Sequence, residues 1–525
     1  MPTTVTTPPQ PPAFQDHVGD ISRYRRLHEV MAAAAAAHPD KPAIIHDGGR
    51  ISFSAMMTGS AELAKHFDAW GIRPGDRLLI VCENAPALIG ALLAASRRDV
   101  WAIPLNARLT AAEVDRIADH AGARRILYTT AVSAEARAHA DRAGAAPVDL
   151  GVFGMAMLSP LAETVVPEPV EDDPAAQVAA LVYTTGTTGA PKGVMITHAN
   201  LLRVAETSGR GRHITADDVV YAVLPMSHIF GLSSVMTGSL MRAATLRLAP
   251  RFDPDAVFAA LADEGVTMFQ GVPAMYQRML AVLKSRGIDR IARPRLRYCS
   301  AGGSPLDPAV KAAAERLMGT ALHNGYGLTE TTSAVSQTTP HEPATDDTVG
   351  RALPGMAVKV VDDQDRDLPD GAVGRLWVRS VGVMKGYYRA PDLTAEVMRP
   401  GGWFDTGDLA RIERGLIYIA GRSKELIIRS GFNVYPPEVE AVLNAHPDVA
   451  QSAVVGRSVP GNEEVVAFVQ PVPGRRLTAQ DLTAWVADRL APYKRPAEFV
   501  ILDMLPATAT GKVLKAQLKM QAVRH

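Results

Sequence analysis

Short apolar runs alternate with amphipathic stretches through the first part of the chain. Residues 78–82 and 100–103 are continuous apolar runs of strand length, whereas residues 87–96 are apolar at helical spacing. Thr110 and Glu113 form a capping box that opens a helix reaching about residue 120. This alternation predicts α/β layers with parallel strands.

The same alternation returns between about residues 219 and 326, whereas residues 350–419 carry Gly-rich turns and short strands. From about residue 424 onward, the sequence predicts a compact α+β unit. We therefore predict an α/β fold in three parts. These are a disordered extension at 1–14, a large N-terminal domain at 15–423 with two α/β layered sheets and a β-rich subdomain, and a small mobile α+β lid at 424–525.

Composition narrows the classes of function. The 525 residues suffice for two or more domains, and 47% hydrophobic residues allow large cores. Lys plus Arg equals Asp plus Glu, 55 each, so no global basic surface predicts a nucleic-acid partner. Cys82 and Cys299 lie far apart in sequence, which fits a reducing cytosol and excludes a disulfide framework. Without an apolar run of about 18 residues, we predict a cytoplasmic protein with no membrane span.

Residues 183–193 combine glycines, threonines and one lysine directly after an apolar run at 178–182. Glycines let backbone N–H groups turn toward an anion, threonines add hydroxyl donors, and Lys192 adds a positive charge. The segment is not a Walker A loop, because Gly186 is followed by Pro191-Lys192-Gly193 and not by Gly-Lys-Ser/Thr. The pattern predicts a loop that binds a polyphosphate.

This loop resembles the phosphate-binding signature of the adenylate-forming superfamily, which contains acyl-CoA synthetases, peptide-synthetase adenylation domains and firefly-type luciferases. Further segments resemble motifs of that family in the same order, at residues 324–330, 403–408, 421–425 and 508–512. The matches run from about residue 40 to the C-terminus, and their order is far more specific than any single motif. The resemblance implies an enzyme that uses ATP to convert a carboxylate into an acyl adenylate.

The resemblance assigns most of these residues to the nucleotide. Asp408 would hold the ribose hydroxyls with Arg422 as a second contact, and Tyr326 would lie against the adenine ring. Thr329 would contact the α-phosphate. The full set of predicted ATP and AMP contacts is Thr184, Thr185, Gly186, Thr187, Thr188, Gly189, Lys192, Gly302, Gly303, Ser304, Asn324, Gly325, Tyr326, Gly327, Thr329, Asp408, Arg422 and Lys512.

The resemblance also implies a catalytic set of Lys512, His228, Glu330 and Thr329. Glu330, with Thr184, is the predicted Mg²⁺ site, because one carboxylate with phosphates and waters suits that hard cation. Lys512 would bridge the incoming carboxylate and the α-phosphate while negative charge builds there.

The C-terminal motifs imply a second step in which coenzyme A accepts the acyl group. Lys424 aligns with the family hinge, at which the small domain would rotate between the two steps. The thiol would then enter past residues Gly431, Phe432, Asn433 and Arg429. Lys494 and Arg495 are further candidates for contacts with the CoA phosphates.

Residues 225–231 resemble the family segment that borders the acyl pocket. His228 in this segment would contact the carboxylate or gate the pantetheine tunnel; its alternative role is a core histidine bonded to backbone. The candidate pocket residues are His228, Phe230, Ser234, Phe269, Gly271, Ser300, Ala301, Ser333 and Ala334. Apart from His228, these side chains are small or apolar, and no arginine is among them. We therefore predict a substrate with an uncharged acyl tail, medium-chain fatty or aryl.

We predict an ATP-dependent carboxylate:CoA ligase, monomeric or homodimeric, whose partners are ATP, Mg²⁺, CoA and a small carboxylic acid. One alternative is a freestanding adenylation enzyme that loads the phosphopantetheine of a carrier protein. A second is a catalytically silent nucleotide-binding regulator, against which the presence of Lys512, Asp408, Glu330 and Lys192 argues.

Overall fold

The computed structural model describes residues 18–185, 191–288, 291–429, 432–459, 462–507 and 513–523. The disordered extension predicted at 1–14 lies outside these ranges. The described chain forms two large mixed sheets flanked by helices, a smaller β-rich sheet, and a C-terminal α+β unit, so the predicted fold class is confirmed.

The first large sheet has eight strands and a parallel centre. Its strand Arg77–Cys82 is buried at every position, as expected for a parallel strand covered on both faces. In spatial order its strands are Gly386–Tyr387, Pro191–Thr197, Val178–Thr185, Trp101–Asn106, Arg77–Cys82, Ala123–Tyr128, Met155–Leu158 and Ala146–Asp149.

The second large sheet has nine strands, and its centre is again parallel. Within it, the strand Met268–Gly271 pairs with Tyr298–Gly302 from the Met268–Tyr298 register onward. In spatial order its strands are Arg351–Ala352, Ser336–Gln337, Leu322–Tyr326, Tyr298–Gly302, Met268–Gly271, Val219–Ala222, Thr245–Leu248, Pro42–His46 and Gly49–Ser52.

The β-rich sheet is antiparallel, and its longest strand carries Asp408. Its strands are Ala357–Val361, Gly374–Arg379, Trp403–Glu413, Met398–Arg399 and Leu416–Arg422. The C-terminal unit has its own apolar core. Its strands are Ile427–Arg429 and Phe432–Val434 in one hairpin, and Val449–Val459, Asn462–Pro471 and Glu498–Ile501 in one sheet. The exact domain boundary at residue 424 stays a prediction.

The helix Ala111–Ala121 begins at the cap that the sequence predicts. Thr110 accepts a hydrogen bond from the Glu113 N–H, and the Glu113 carboxylate accepts one from the Thr110 N–H, which confirms the capping box. The α-helices are Leu27–Ala37, Phe53–Ala69, Pro86–Arg97, Ala111–Ala121, Ala134–Arg142, His198–Gly211, Gly238–Leu240, Pro254–Asp263, Pro273–Ser285, Pro308–Met318, Pro391–Val397, Pro436–Asn444, Ala479–Ala487 and Lys515–Ala522.

A π-helix at Phe230–Thr237 and single 3₁₀ turns complete the secondary structure. The 3₁₀ turns are Ile21–Arg23, Gly151–Phe153, Thr329–Thr331, Pro400–Gly402, Ser423–Glu425 and Pro492–Lys494. π-Helical turns are rare and often occur at functional sites. Within the described ranges, no helix has the length and apolar character needed to cross a membrane.

Candidate active site

Three of the predicted nucleotide residues, Tyr326, Asp408 and Arg422, form one polar group. The Tyr326 hydroxyl donates to Oδ2 of Asp408 at 2.5 Å, and Nε of Arg422 lies 3.3 Å from Oδ1. Asp408 and Arg422 are direct partners across antiparallel strands, so the sheet fixes their separation. Burial and the neighbouring carboxylate raise the pKa of Tyr326. The phenol therefore stays protonated and holds the carboxylate in one orientation.

A second polar group joins residues that lie far apart in sequence. The Tyr387 hydroxyl donates to Oε1 of Glu330 at 2.8 Å, and Nζ of Lys192 lies 5.3 Å from the Tyr387 ring centroid. Thr184 is the direct strand partner of Lys192. The predicted metal residues Glu330 and Thr184 thus lie around Tyr387, a residue that the sequence motifs do not include.

The turn after Tyr326 has a constrained backbone. A Cβ on Gly327 would lie 1.3 Å from the Ser333 carbonyl oxygen, so no other residue fits there. Thr332 and Ser333 have φ values of 56° and 92°, which are unusual for residues with side chains. This turn encloses the 3₁₀ turn Thr329–Thr331 and so fixes the position of Glu330.

Two of the glycines predicted to contact the nucleotide lie at or next to the ends of adjacent strands. Gly302 and Gly325 are partners in the parallel register, and Gly303 has a φ of 83°. Ser304 follows in the turn that this glycine starts. The Asn324 side-chain amide donates to the Thr348 carbonyl at 3.2 Å and to the Asp347 carbonyl at 3.5 Å, and its predicted contact with the nucleotide stays a prediction. Its side chain holds the loop beside the strand.

The candidate acyl wall is only partly brought together. The hydroxyls of Ser234 and Ser333 are 3.0 Å apart, and the Phe230 ring lies against the α-carbon of Gly302. His228 is exposed, and its Nδ1 accepts a hydrogen bond from the Phe230 N–H at 3.3 Å. These contacts bring the π-helix Phe230–Thr237 beside the end of the strand Tyr298–Gly302.

Three predicted wall residues, Phe269, Gly271 and Ala301, lie on the other face of the sheet. Phe269 packs against Tyr276 with ring centroids 5.4 Å apart, and a Cβ on Gly271 would meet Tyr276. Side chains alternate along a strand, so Ser300 and Ala301 cannot both face one pocket. The prediction that all of these residues line the acyl site is therefore wrong. Ala334 packs with Val204 and Leu353.

The structure adds one basic residue to the candidate wall. Nη1 of Arg212 donates to the Ser234 carbonyl at 3.2 Å, and its guanidinium lies 5.9 Å from the Phe230 ring centroid. No sequence motif identifies Arg212, which follows a polar helix end in an arginine-rich stretch. The candidate residues themselves include no arginine, but Arg212 adjoins two of them, Ser234 and Phe230.

Lys424 lies between a residue fixed to the β-rich sheet and a residue fixed to the C-terminal unit. The Ser423 hydroxyl donates to the Gly407 carbonyl at 2.9 Å. Nζ of Lys515 lies 3.2 Å from the Glu425 carboxylate and 2.7 Å from the Glu440 carboxylate. Lys424 itself is exposed.

Phe432 and Asn433 of the predicted thiol entrance are exposed, and Phe432 stacks on Tyr493 at 4.7 Å. The basic residues predicted for the CoA phosphates are already engaged. Arg429 donates to the Tyr493 and Arg495 carbonyls, Arg495 donates to the Leu490 carbonyl at 2.9 Å, and Lys494 pairs with Glu438. These contacts assign them a role in holding the C-terminal unit together.

Several predicted residues lie outside the described part of the chain. They are the side chain of Thr185, and Gly186, Thr187, Thr188, Gly189, Gly431 and Lys512. The described donors nevertheless fit ATP and Mg²⁺. Asp408 offers two carboxylate oxygens, and Glu330 offers one carboxylate without a further acidic cluster around it. Within the described ranges, no group of three acidic, His or Cys side chains is arranged to hold a metal ion, so a metal bound at Glu330 needs phosphate and water ligands, as Mg²⁺ prefers.

Comparison with known proteins agrees with this geometry. A family model described as AMP-binding enzyme matches residues 31–388, and a model of the AMP-binding enzyme C-terminal domain matches residues 438–512. A feruloyl-CoA synthase from an Amycolatopsis species is 33% identical over 496 residues, which cover 92% of this chain and 96% of that protein.

Solved structures show the same fold. The crystal structure of an ATP-bound RpMatB-BxBclM chimera matches with a TM-score of 0.81 and 31% identity, covering 95% of this chain and 98% of the other. The o-succinylbenzoate coenzyme A synthetase of Bacillus subtilis, in complex with ATP and a magnesium ion, matches with a TM-score of 0.79 and 28% identity, covering 93% and 99%. The chain therefore belongs to the AMP-binding enzyme family of adenylate-forming enzymes, as an AMP-forming acid–CoA ligase.

Proposed function

We propose that this ligase converts an aryl or medium-chain carboxylic acid into its CoA thioester through an acyl adenylate. The observation that carries the proposal is the fixed Asp408 carboxylate between Tyr326 and Arg422, at the predicted ribose position. The related feruloyl-CoA synthase is named for an aryl acid, which supports the aryl alternative. The uncharged tail predicted from sequence is not carried over, because Arg212 adjoins the candidate wall.

In the first step, the chain's residues hold ATP and the acid in line. Asp408 accepts hydrogen bonds from the ribose hydroxyls, and Lys192 with Thr184 faces the terminal phosphates. Glu330 would hold Mg²⁺, which would supply positive charge against the phosphates. Lys512 bridges the acid and the α-phosphate. Positioning and charge stabilisation supply most of the rate enhancement of such a reaction.

In the second step, rotation at Lys424 replaces the Lys512 loop with the face that carries Phe432 and Asn433. The thiol of CoA then attacks the acyl carbon, and AMP leaves with the bonding electron pair. The contacts of Ser423 and Glu425 support this proposal, since they fix the residues on each side of Lys424 to different parts of the protein.

Pyrophosphate release across a panel of carboxylic acids, with and without CoA, tests the proposed function. We expect release with at least one acid and thioester formation only when CoA is present. CoA, pantetheine and a phosphopantetheinylated carrier protein should be compared as acceptors. A carrier that far outperforms CoA would favour the carrier-loading alternative, and no release with any acid would favour the silent regulator.

Replacing Asp408 with asparagine is expected to raise the KM for ATP about tenfold or more, because an amide accepts fewer bonds from the two ribose hydroxyls. Tyr326→Phe should produce a smaller rise, since the ring remains and only the bond to Asp408 is lost. Pyrophosphate exchange at varied ATP measures both. Asp405→Asn is the matched control: Asp405 pairs with Arg375 and Arg399, so it should lower Tm without changing the KM.

Replacing Glu330 with glutamine is expected to increase the Mg²⁺ concentration for half-maximal adenylation about tenfold or more, because the charged ligand is lost. Tyr387→Phe keeps the ring beside Lys192 and removes only the bond to Glu330, so it should increase that concentration by a smaller factor. A Mg²⁺ titration of pyrophosphate release measures both. Unchanged Mg²⁺ dependence in Glu330→Gln would place the metal elsewhere.

A further inference from the structure

Arg212 is a buried cation with no carboxylate partner in the described ranges. It caps the helix His198–Gly211 and is only 4% exposed. Its Nη1 donates to the Ser234 carbonyl, and its Nε has no hydrogen-bond partner among the residues described. A guanidinium in a protein does not lose its proton, so the burial of this charge is compensated only by bonds to other groups.

The groups near Arg212 do not supply an anion. The Glu206 carboxylate, on the same helix, pairs with Arg210 and with Arg242. Burial lowers the pKa of Arg212, opposed by the Tyr298 hydroxyl, and burial raises the pKa of Tyr298. Tyr298 is therefore a neutral phenol at physiological pH: it hydrogen-bonds Arg212 but brings no negative charge to it.

The sheet opposite Arg212 presents further polar groups without partners. Tyr298 and Ser300 are two residues apart on one strand and share a face, and Gln270 is the direct partner of Ser300 on the next strand. The Ser300 hydroxyl and both polar atoms of the Gln270 amide are buried and have no partner in the described part of the protein. Buried polar groups are rarely left unpaired, so each needs a reason.

We infer that the acid substrate carries a second anionic group, a carboxylate at the end distant from the reacting one, and that Arg212 binds it. This inference rests on the proposed function and names the substrate class for the same pocket. The guanidinium of Arg212 lies 5.9 Å from the Phe230 ring centroid, and the Phe230 N–H donates to His228 in the candidate acyl segment. A carboxylate can accept two parallel bonds from a guanidinium, whereas an apolar tail would leave Arg212 without an anionic partner.

Matched acids test the inference on the unaltered enzyme. Adipate against hexanoate, and terephthalate against 4-methylbenzoate and 4-hydroxybenzoate, differ mainly in the distal group. We expect kcat/KM for pyrophosphate release to be about thirtyfold or more higher for the diacid in at least one set. The reason is that a bound monoacid leaves the buried charge of Arg212 without an anionic partner. Preference for the methyl or hydroxyl acid in both sets would overturn the inference.

Variants identify the residue responsible. Arg212→Met should lower kcat/KM for the preferred diacid about thirtyfold or more and leave the matched monoacid unchanged or faster. Arg212→Lys should restore part of the diacid activity. The control, Arg210→Met, removes a neighbouring arginine whose side chain is partly exposed. It should not change kcat/KM for the diacid or for the matched monoacid. Equal loss for both acids in a variant with unchanged Tm would assign Arg212 a structural role and overturn the inference.

The two proposals fail in different ways. Pyrophosphate release from monoacids alone would retain the ligase and reject only the second anionic group. No release from any acid in the presence of ATP and Mg²⁺ would reject the proposed function itself.

Discussion

Replacing Lys512 with alanine is expected to slow adenylate formation about a hundredfold or more while thioester formation from a supplied acyl adenylate continues. The reason is that negative charge builds at the α-phosphate only in the first half-reaction. A lysine ammonium placed between the acid and that phosphate stabilises this transition state more than the bound substrates. Single-turnover pyrophosphate release measures the first step, and thioester yield from adenylate and CoA measures the second.

Lys519→Ala provides the control for Lys512→Ala. Lys519 is an exposed lysine on the helix Lys515–Ala522, so its removal changes the charge of the same segment without touching the proposed site. We expect both half-reactions of Lys519→Ala at the unaltered rate. If Lys512→Ala slowed both steps by the same factor, Lys512 would contribute to binding or to folding, and its proposed role in adenylation alone would be wrong.

The elements of the fold could be predicted where local sequence determines them. The capping box at Thr110 and Glu113 and the apolar run before Cys82 depend on neighbours within a few residues, and both appear as expected. The fold class follows from their alternation. Motif order likewise identified Tyr326, Asp408 and Arg422, which the structure brings into one hydrogen-bonded group.

Contacts between distant segments could not be predicted in the same way. Tyr387 reaches Glu330 only because its short strand pairs with the strand that carries Lys192. Phe269 and Ser300 belong to adjacent strands, but their opposite faces follow from a register that no local pattern contains. Arg212 is hidden for the same reason: its importance lies in the absence of a carboxylate in the described surroundings, which only the packed structure shows.

Replacing Lys424 with proline is expected to reduce thioester formation about a hundredfold or more while adenylation continues. Proline fixes φ near −65°, to about 15° either way, and is tolerated in the first turn of a helix. Lys424 lies within the 3₁₀ turn Ser423–Glu425. Proline therefore fits the backbone conformation of this turn and hinders rotation of the C-terminal unit into the arrangement needed for thioester formation. Ser423 is tied to Gly407 and Glu425 to Lys515, so few other backbone angles between them can provide the rotation.

Lys424→Gly separates loss of rotation from loss of the lysine side chain. Glycine removes the same ammonium group but leaves the backbone free to rotate, so we expect both half-reactions to proceed in this variant at near the unaltered rate. The comparison requires pyrophosphate release and thioester formation measured separately on the full-length protein. Collapse of thioester formation in both variants would assign the effect to the side chain. If Lys424→Pro catalysed both half-reactions at the unaltered rate, rotation at this residue would be excluded from the catalytic cycle. The fixed φ would then have no effect on thioester formation, the step that needs the rotation.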